Sequence, residues 1–169
     1  MKGSNSLKWM WLSLLIIICD QVSKNAATKY LVYQQANEII YGFNLTLVHN
    51  TGAAFSFLSQ AGGWQRWFFI ILTSGVSIAL IYWLSTLPAQ RRWLAVALAL
   101  VLGGALGNLW DRVSLGYVID FIQVYYDKWY WPAFNVADSA ICVGAGMLII
   151  DAIWFDQAEM SSKKPRSSN

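Results

Sequence analysis

Residues 64–110, WQRWFFIILTSGVSIALIYWLSTLPAQRRWLAVALALVLGGALGNLW, decide the fold of this chain. Two apolar runs, Trp64 to Leu87 and Trp93 to Trp110, flank the short basic stretch Pro88-Ala89-Gln90-Arg91-Arg92. Crossing a bilayer core takes about 20 mainly apolar residues in a helix. Each run meets that length, and a basic turn between them predicts a membrane-spanning helical hairpin. Working outward, Trp9 to Thr28 and Ala137 to Phe155 have the same character, giving four spans. Ser, Thr and Gly inside them are tolerated, because helical backbone bonds are satisfied internally and small residues suit helix contacts.

Composition agrees. Of 169 residues, 57% are hydrophobic and only 12% charged, against about 25% charged in soluble domains. The net charge of +3 does not point to nucleic acid, since the basic residues form no single patch. Cys19 and Cys142 both fall in apolar segments and require no disulfide. Lys2, Lys8 and the apolar Met10 to Cys19 resemble the start of a secretory signal peptide. No small-x-small cleavage site follows, and the helical pattern continues through Asp20-Gln21-Val22-Ser23-Lys24, so an uncleaved helix is expected.

Four spans place both termini and the 88–92 loop on one side, with Lys2, Lys8, Arg91, Arg92, Lys163, Lys164 and Arg166. The other side carries Lys24, Lys29, Arg66, Arg112 and Lys128, spread over the longer outer loops 29–63 and 111–136. The positive-inside rule then predicts cytoplasmic termini. All ten tryptophans fall near span ends or in the outer loops, as an interfacial aromatic belt requires. The fold class expected is membrane all-α with a small β element, a single integral domain over 1–169 with a flexible tail after residue 160. In the outer loops, Phe43 to Val48 alternates at period 2 and Val118 to Val124 is rich in β-branched and aromatic residues. Both read as strands, and Asn50-Thr51-Gly52 reads as a turn. A small extracytoplasmic sheet resting on the membrane follows, with Trp129-Tyr130-Trp131-Pro132 dipping into the headgroups.

Span parity brings the polar residues to that same outer side: Asp20 and Lys24, Asn50, then Asn108, Asp111 and Arg112, then Asp120 and Asp138. Acids in or beside apolar spans are costly and mark function. Asp20 and Lys24, four apart, share a helix face and can neutralise each other. Asp111 and Arg112 read as an interfacial charge pair. Asp138 could be a helix cap or first-turn acid. Asp120 sits in a strand-like stretch where capping offers it nothing. Gly103 with Gly107, and Ala140 with Gly144, form small-xxx-small pairs that would draw the third and fourth spans together. That approach carries Asn108–Arg112 towards Asp138. His49 is the only histidine, which removes His-rich zinc sites and most Ser-His-Asp arrangements, and it reads as a loop residue near the surface. No Walker loop and no internal repeat is present. From the residues alone, an aspartic peptidase and a proton- or ion-coupled transporter using Asp120 and Asp138 as a relay both stay open.

The segments GGALGNLWDR (103–112), VIDF (118–121), FNVADS (134–139), DQVSK (20–24) and NTGAAF (50–55) resemble, in order, the motifs of lipoprotein signal peptidase (signal peptidase II). The resemblance covers nearly the whole chain. It implies an aspartic endopeptidase of the bacterial inner membrane, active at the outer (periplasmic) face. Its substrates would be prolipoproteins carrying a diacylglyceryl-cysteine, cut just before that cysteine. It also implies Asp120 and Asp138 as the catalytic pair, with Asn50, Gly104, Asn108, Arg112 and Asn135 binding substrate or supporting the dyad. Asp20, Lys24 and Asp111 would be structural. No metal or cofactor is expected; the partners are prolipoprotein and membrane lipids, and the chain is expected to act as a monomer.

Overall fold

The computed structural model describes residues 5–52 and 63–155. A 3₁₀ turn, Asn5–Trp9, leads into α1 (Met10–Tyr30). Strands β1 (Ala36–Ile40) and β2 (Phe43–Asn50) follow, then α2 (Trp64–Thr86) and α3 (Arg92–Ser114). β3 (Val118–Tyr126), the short β4 (Trp129–Tyr130) and α4 (Val136–Ile150) complete the fold, α4 closing in a π-helical turn at Asp151–Phe155. The four helical stretches, Ser6–Tyr30, Trp64–Thr86, Arg92–Ser114 and Val136–Ile153, are each long and apolar enough to cross a membrane. The four long apolar helices expected from the sequence are thus present. The third is extended by a turn, so Asp111 and Arg112 are helical.

α3 is the axis of the bundle: it packs on all three other helices and is the most buried of them. Its seams are made by small residues. A Cβ on Gly103 would lie 2.9 Å from the Ser13 carbonyl oxygen of α1, and one on Gly104 would lie 2.3 Å from the Ala137 carbonyl oxygen of α4. Gly144 of α4 meets the Ala97 carbonyl oxygen in the same way. The expected Gly103–Gly107 seam to the fourth span is thus corrected: Gly103 faces α1, and Gly104 admits α4. Away from these seams, Leu14, Ile18, Ile71, Ile78, Val143 and Ile149 are exposed, as lipid-facing residues are.

The buried interior has two halves. At one end Leu84, Leu94, Leu98 and Leu102 form an apolar cluster. There Ser6 Oγ donates to the Leu87 carbonyl and Arg91 pairs with Asp151 at 2.8 Å, tying the start of the chain, the 88–92 loop and the end of α4 together. At the other end the buried side chains are polar: Asp20, Lys24, Asn108, Asp111, Asp120 and Asn135. The sheet sits over this polar end.

That sheet is antiparallel throughout, in the order β1-β2-β3-β4. Val48 lies opposite Asp120 and Asn50 opposite Val118, after a bulge between Leu45 and Val48. Period-2 alternation puts Val48, Asn50 and Asp120 on one face. β1 has no clear sequence signal. Trp129 and Tyr130 form the hairpin strand β4 on β3, and their side chains and that of Trp131 are exposed. His49 is a strand residue rather than a loop residue, its ring stacked on Tyr117 at 4.0 Å and against Tyr33 at 4.7 Å.

Candidate active site

Asn135 is the hinge of the site. It is the N-cap of α4, extended in backbone and fully buried. Its Oδ1 accepts from the Asp138 N–H at 2.9 Å, while the Asn135 N–H donates back to Asp138 Oδ2 at 3.2 Å. This is a reciprocal capping box with an aspartate at the third position. Asp138 is therefore a first-turn cap, one of the roles open to it from sequence, and its second oxygen still faces the site. From the same Asn135, Nδ2 donates to Asp120 Oδ1 at 2.7 Å. One asparagine thus touches both acids.

The second oxygens are held from other elements. Asn50 Nδ2, at the end of β2, donates to Asp120 Oδ2 at 3.0 Å. Its own Oδ1 accepts from the Gly52 N–H at 3.0 Å, an Asx turn that fixes the amide. Asn108 Nδ2, in the last turns of α3, donates to Asp138 Oδ1 at 2.8 Å. Asp120 and Asp138 come from a sheet and a helix, and three asparagines join them into one constellation.

Beneath lies a charged triad. Lys24 Nζ meets Asp20 Oδ2 at 2.7 Å, Asp111 Oδ2 at 2.8 Å and Asn108 Oδ1 at 2.9 Å. An ammonium has three donors, and all three are used. All of these groups are at most 2% exposed apart from Asn108 at 7%. Burying charges is tolerated only when they are paired and hydrogen-bonded. Asp20 Oδ1 accepts from the Ala137 N–H of α4 at 2.9 Å, so a carboxylate of the first helix caps the fourth. Asp111 Oδ2 accepts from the Ile119 N–H at 3.2 Å, fixing the residue before Asp120. The expected Asp111–Arg112 charge pair is replaced by these contacts. Arg112 instead donates to the Gly52 carbonyl at 3.0 Å, and its guanidinium lies 5.1 Å from the Phe69 ring centroid.

All the residues singled out from the sequence come together at this end of the bundle, Gly104 acting by shape through its close approach to Ala137. The Ala53-Ala54-Phe55 part of the motif and the 160–169 tail lie outside the described residues. Sequence reasoning missed Gln21 and Arg66. Gln21 Nε2 donates to Asp111 Oδ1 at 2.8 Å, and its signal was a second polar residue beside Asp20 in an apolar span. Arg66 donates to the Arg112 and Val113 carbonyls, closing the C-terminal end of α3 from α2.

Burial, and next the negative charge of Asp138, push the Asp120 carboxyl up from 3.8 to about 7, although its two asparagine donors and Lys24 pull the other way. Two acids in one site cannot both ionise easily, so the two carboxyls titrate as a pair. Such a pair can take a proton from water and give one to a carbonyl oxygen.

The comparisons with known proteins agree with this arrangement. The family model of signal peptidase (SPase) II matches residues 12–154. The lipoprotein signal peptidase of Teredinibacter turnerae is 56% identical over 149 residues, covering 88% of this chain and 89% of that protein. That of Pseudomonas syringae pv. tomato is 58% identical over 147 residues, 86% of this chain and 85% of its own. A solved bacterial membrane enzyme, determined by the in meso method at 2.3 Å resolution, superposes with a TM-score of 0.81 at 31% identity, covering 99% of this chain and 98% of that one. A second, at 1.9 Å, gives 0.76 at 32% identity over 90% and 97%. With four membrane-competent helices and a family model spanning nearly all of them, this multi-pass membrane protein belongs to the signal peptidase II family.

Proposed function

We propose that this chain is an aspartic endopeptidase that removes signal peptides from diacylglyceryl-modified prolipoproteins, cutting before the lipidated cysteine. The observation that carries the reading is the sharing of Asn135 between Asp120 and Asp138, with Asn50 and Asn108 on the remaining oxygens. Water attacks the scissile carbonyl carbon and gives a proton to the ionised carboxylate. The protonated carboxyl gives its proton to the carbonyl oxygen. The C–N bond of the adduct then breaks. The amine takes the proton held by the first acid, and a hydroxyl of the adduct returns one to the second. The pair ends with the single proton it began with.

The positive-inside count supports cytoplasmic termini, which puts the dyad at the outer face of the inner membrane. A scissile bond beside a lipidated cysteine lies at that headgroup level and arrives by lateral diffusion. Two acyl chains supply recognition that a short peptide cannot, at about 0.8 kcal/mol per buried CH₂.

The test incubates purified protein with lipidated and unlipidated prolipoprotein and follows product size. Asp120→Asn and Asp138→Asn should each abolish cleavage while staying folded. Cleavage by either variant sinks the dyad, and equal cleavage of the unlipidated form sinks lipid recognition.

A further inference from the structure

The third donor of Lys24 has no neutralising purpose. Asp20 and Asp111 already more than balance one ammonium, yet the third N–H goes to Asn108 Oδ1 at 2.9 Å. That oxygen also accepts from Asn135 Nδ2 at 3.2 Å. Two donors on Oδ1 fix the orientation of the amide, because the flipped form would set an NH₂ against an ammonium and a second NH₂. Fixed this way, Asn108 offers Asp138 an N–H, at 2.8 Å, and cannot offer it an oxygen. A cation on the amide oxygen also draws density from the amide nitrogen, strengthening that N–H as a donor.

Asp138 receives, besides this N–H, the Asn135 backbone N–H in the first turn of a helix, where negative charge is favoured. Asp120 receives two side-chain amides on the buried first half of β3. The two acids are built differently. We propose that Lys24 is a positioning residue that sets the direction of the dyad: acting through Asn108, it holds Asp138 as the acceptor of the water proton and leaves Asp120 as the donor to the carbonyl oxygen. This rests on the aspartic reading above.

The charged and titratable groups facing Asp138 are Asp20 and Lys24 on α1, Arg112 on α3 and Asp120 on β3, with Asp111 of α3 reaching it through its ion pair with Lys24. Lys24→Met paired with Asp111→Asn removes the ammonium while keeping one net negative charge, so folding is spared two unpaired acids. Cleavage of a lipidated peptide is followed against pH in micelles. For Lys24→Met/Asp111→Asn, kcat should fall with KM little changed, and the acid limb of the profile should move up by about one pH unit, a tenfold change in proton affinity. Asp111→Asn alone leaves the ammonium less shared, and its acid limb should move down. Asn108→Ser, made alone and in both backgrounds, closes a cycle: a path through the amide makes the limb shifts non-additive, whereas a through-space field makes them add.

A fall in kcat with unmoved limbs, or additive shifts, overturns the inference. Should the double variant fail to fold, the Asp111→Asn limb and its cycle with Asn108→Ser decide alone. Failure of the dyad itself reads out separately, as cleavage surviving in Asp138→Asn.

Discussion

Replacing Asp120 by asparagine should stabilise the protein at alkaline pH and destabilise it at acid pH. The carboxyl rises from 3.8 to about 7 on folding, a shift of about three units. At about 1.4 kcal/mol per unit, the ionised form costs the folded state about 4 kcal/mol. The sign follows from proton counting. Between pH 4 and 7 the folded protein holds a proton that the unfolded chain has released, so stability falls as pH rises through that window and is level above it. Below pH 4 both states are protonated and the cost disappears. The asparagine of the D120N variant cannot ionise, but Asn50 and Asn135 donate to different oxygens of Asp120, so one of their amides is left facing the new NH₂. That mismatch costs about 1–2 kcal/mol at every pH. The net expectation is a gain of about 2–3 kcal/mol at pH 8.5 and a loss of about 1–2 kcal/mol at pH 4. Intrinsic tryptophan fluorescence during thermal denaturation in detergent, for both proteins at both pH values, measures it. A variant that is less stable by the same amount at both pH values would show that Asp120 carries no burial penalty, and the proposed proton sharing would lose its basis.

Two further expectations concern shape and rate. Gly104→Ala sets a Cβ 2.3 Å from the Ala137 carbonyl oxygen and 2.7 Å from Ile141 Cγ1, so α3 and α4 must part where they hold the dyad. Cleavage should be lost and the melting point lowered, whereas Gly146→Ala, with nothing within 4 Å, should be neutral or slightly stabilising. Equal effects at the two positions would refute the seam. With one acid required in its protonated form, the cleavage rate should fall as pH rises beyond about 7, the value to which Asp120 is pushed. A rate still climbing at pH 9 would contradict it.

Elements defined by local pattern are legible in the sequence, and partnerships made across the fold are not. Four spans, β2 and β3 follow from apolar length and period-2 alternation within single stretches. β1, Ala36–Ile40, alternates poorly and exists because β2 offers it an edge. Apolar length alone predicts that α4 runs unbroken to Phe155, but its last turn widens to a π-helix where Asp151 meets Arg91. Small residues stand out on α3, yet the sequence does not carry the helix phase that sends Gly103 to α1 and Gly104 to α4. The motif residues point to the site, but the sharing of Lys24 between Asp20 on the first helix and Asp111 on the third is a tertiary fact. So is Gln21, whose polarity is visible and whose partner is not.

The cap that Asp20 places on α4 bears on how the enzyme comes into being. Of the four helices α1 is made before the others, and within it Lys24 already neutralises Asp20 at helical spacing. The carboxylate can wait in lipid, half satisfied, through two further helices. Its remaining oxygen is claimed only when Ala137 arrives, one residue before Asp138. The same insertion that seats the last helix brings in the second acid. On the aspartic reading, a nascent chain therefore carries no complete site until its final span is in place, and an unfinished one would not cut the membrane peptides around it.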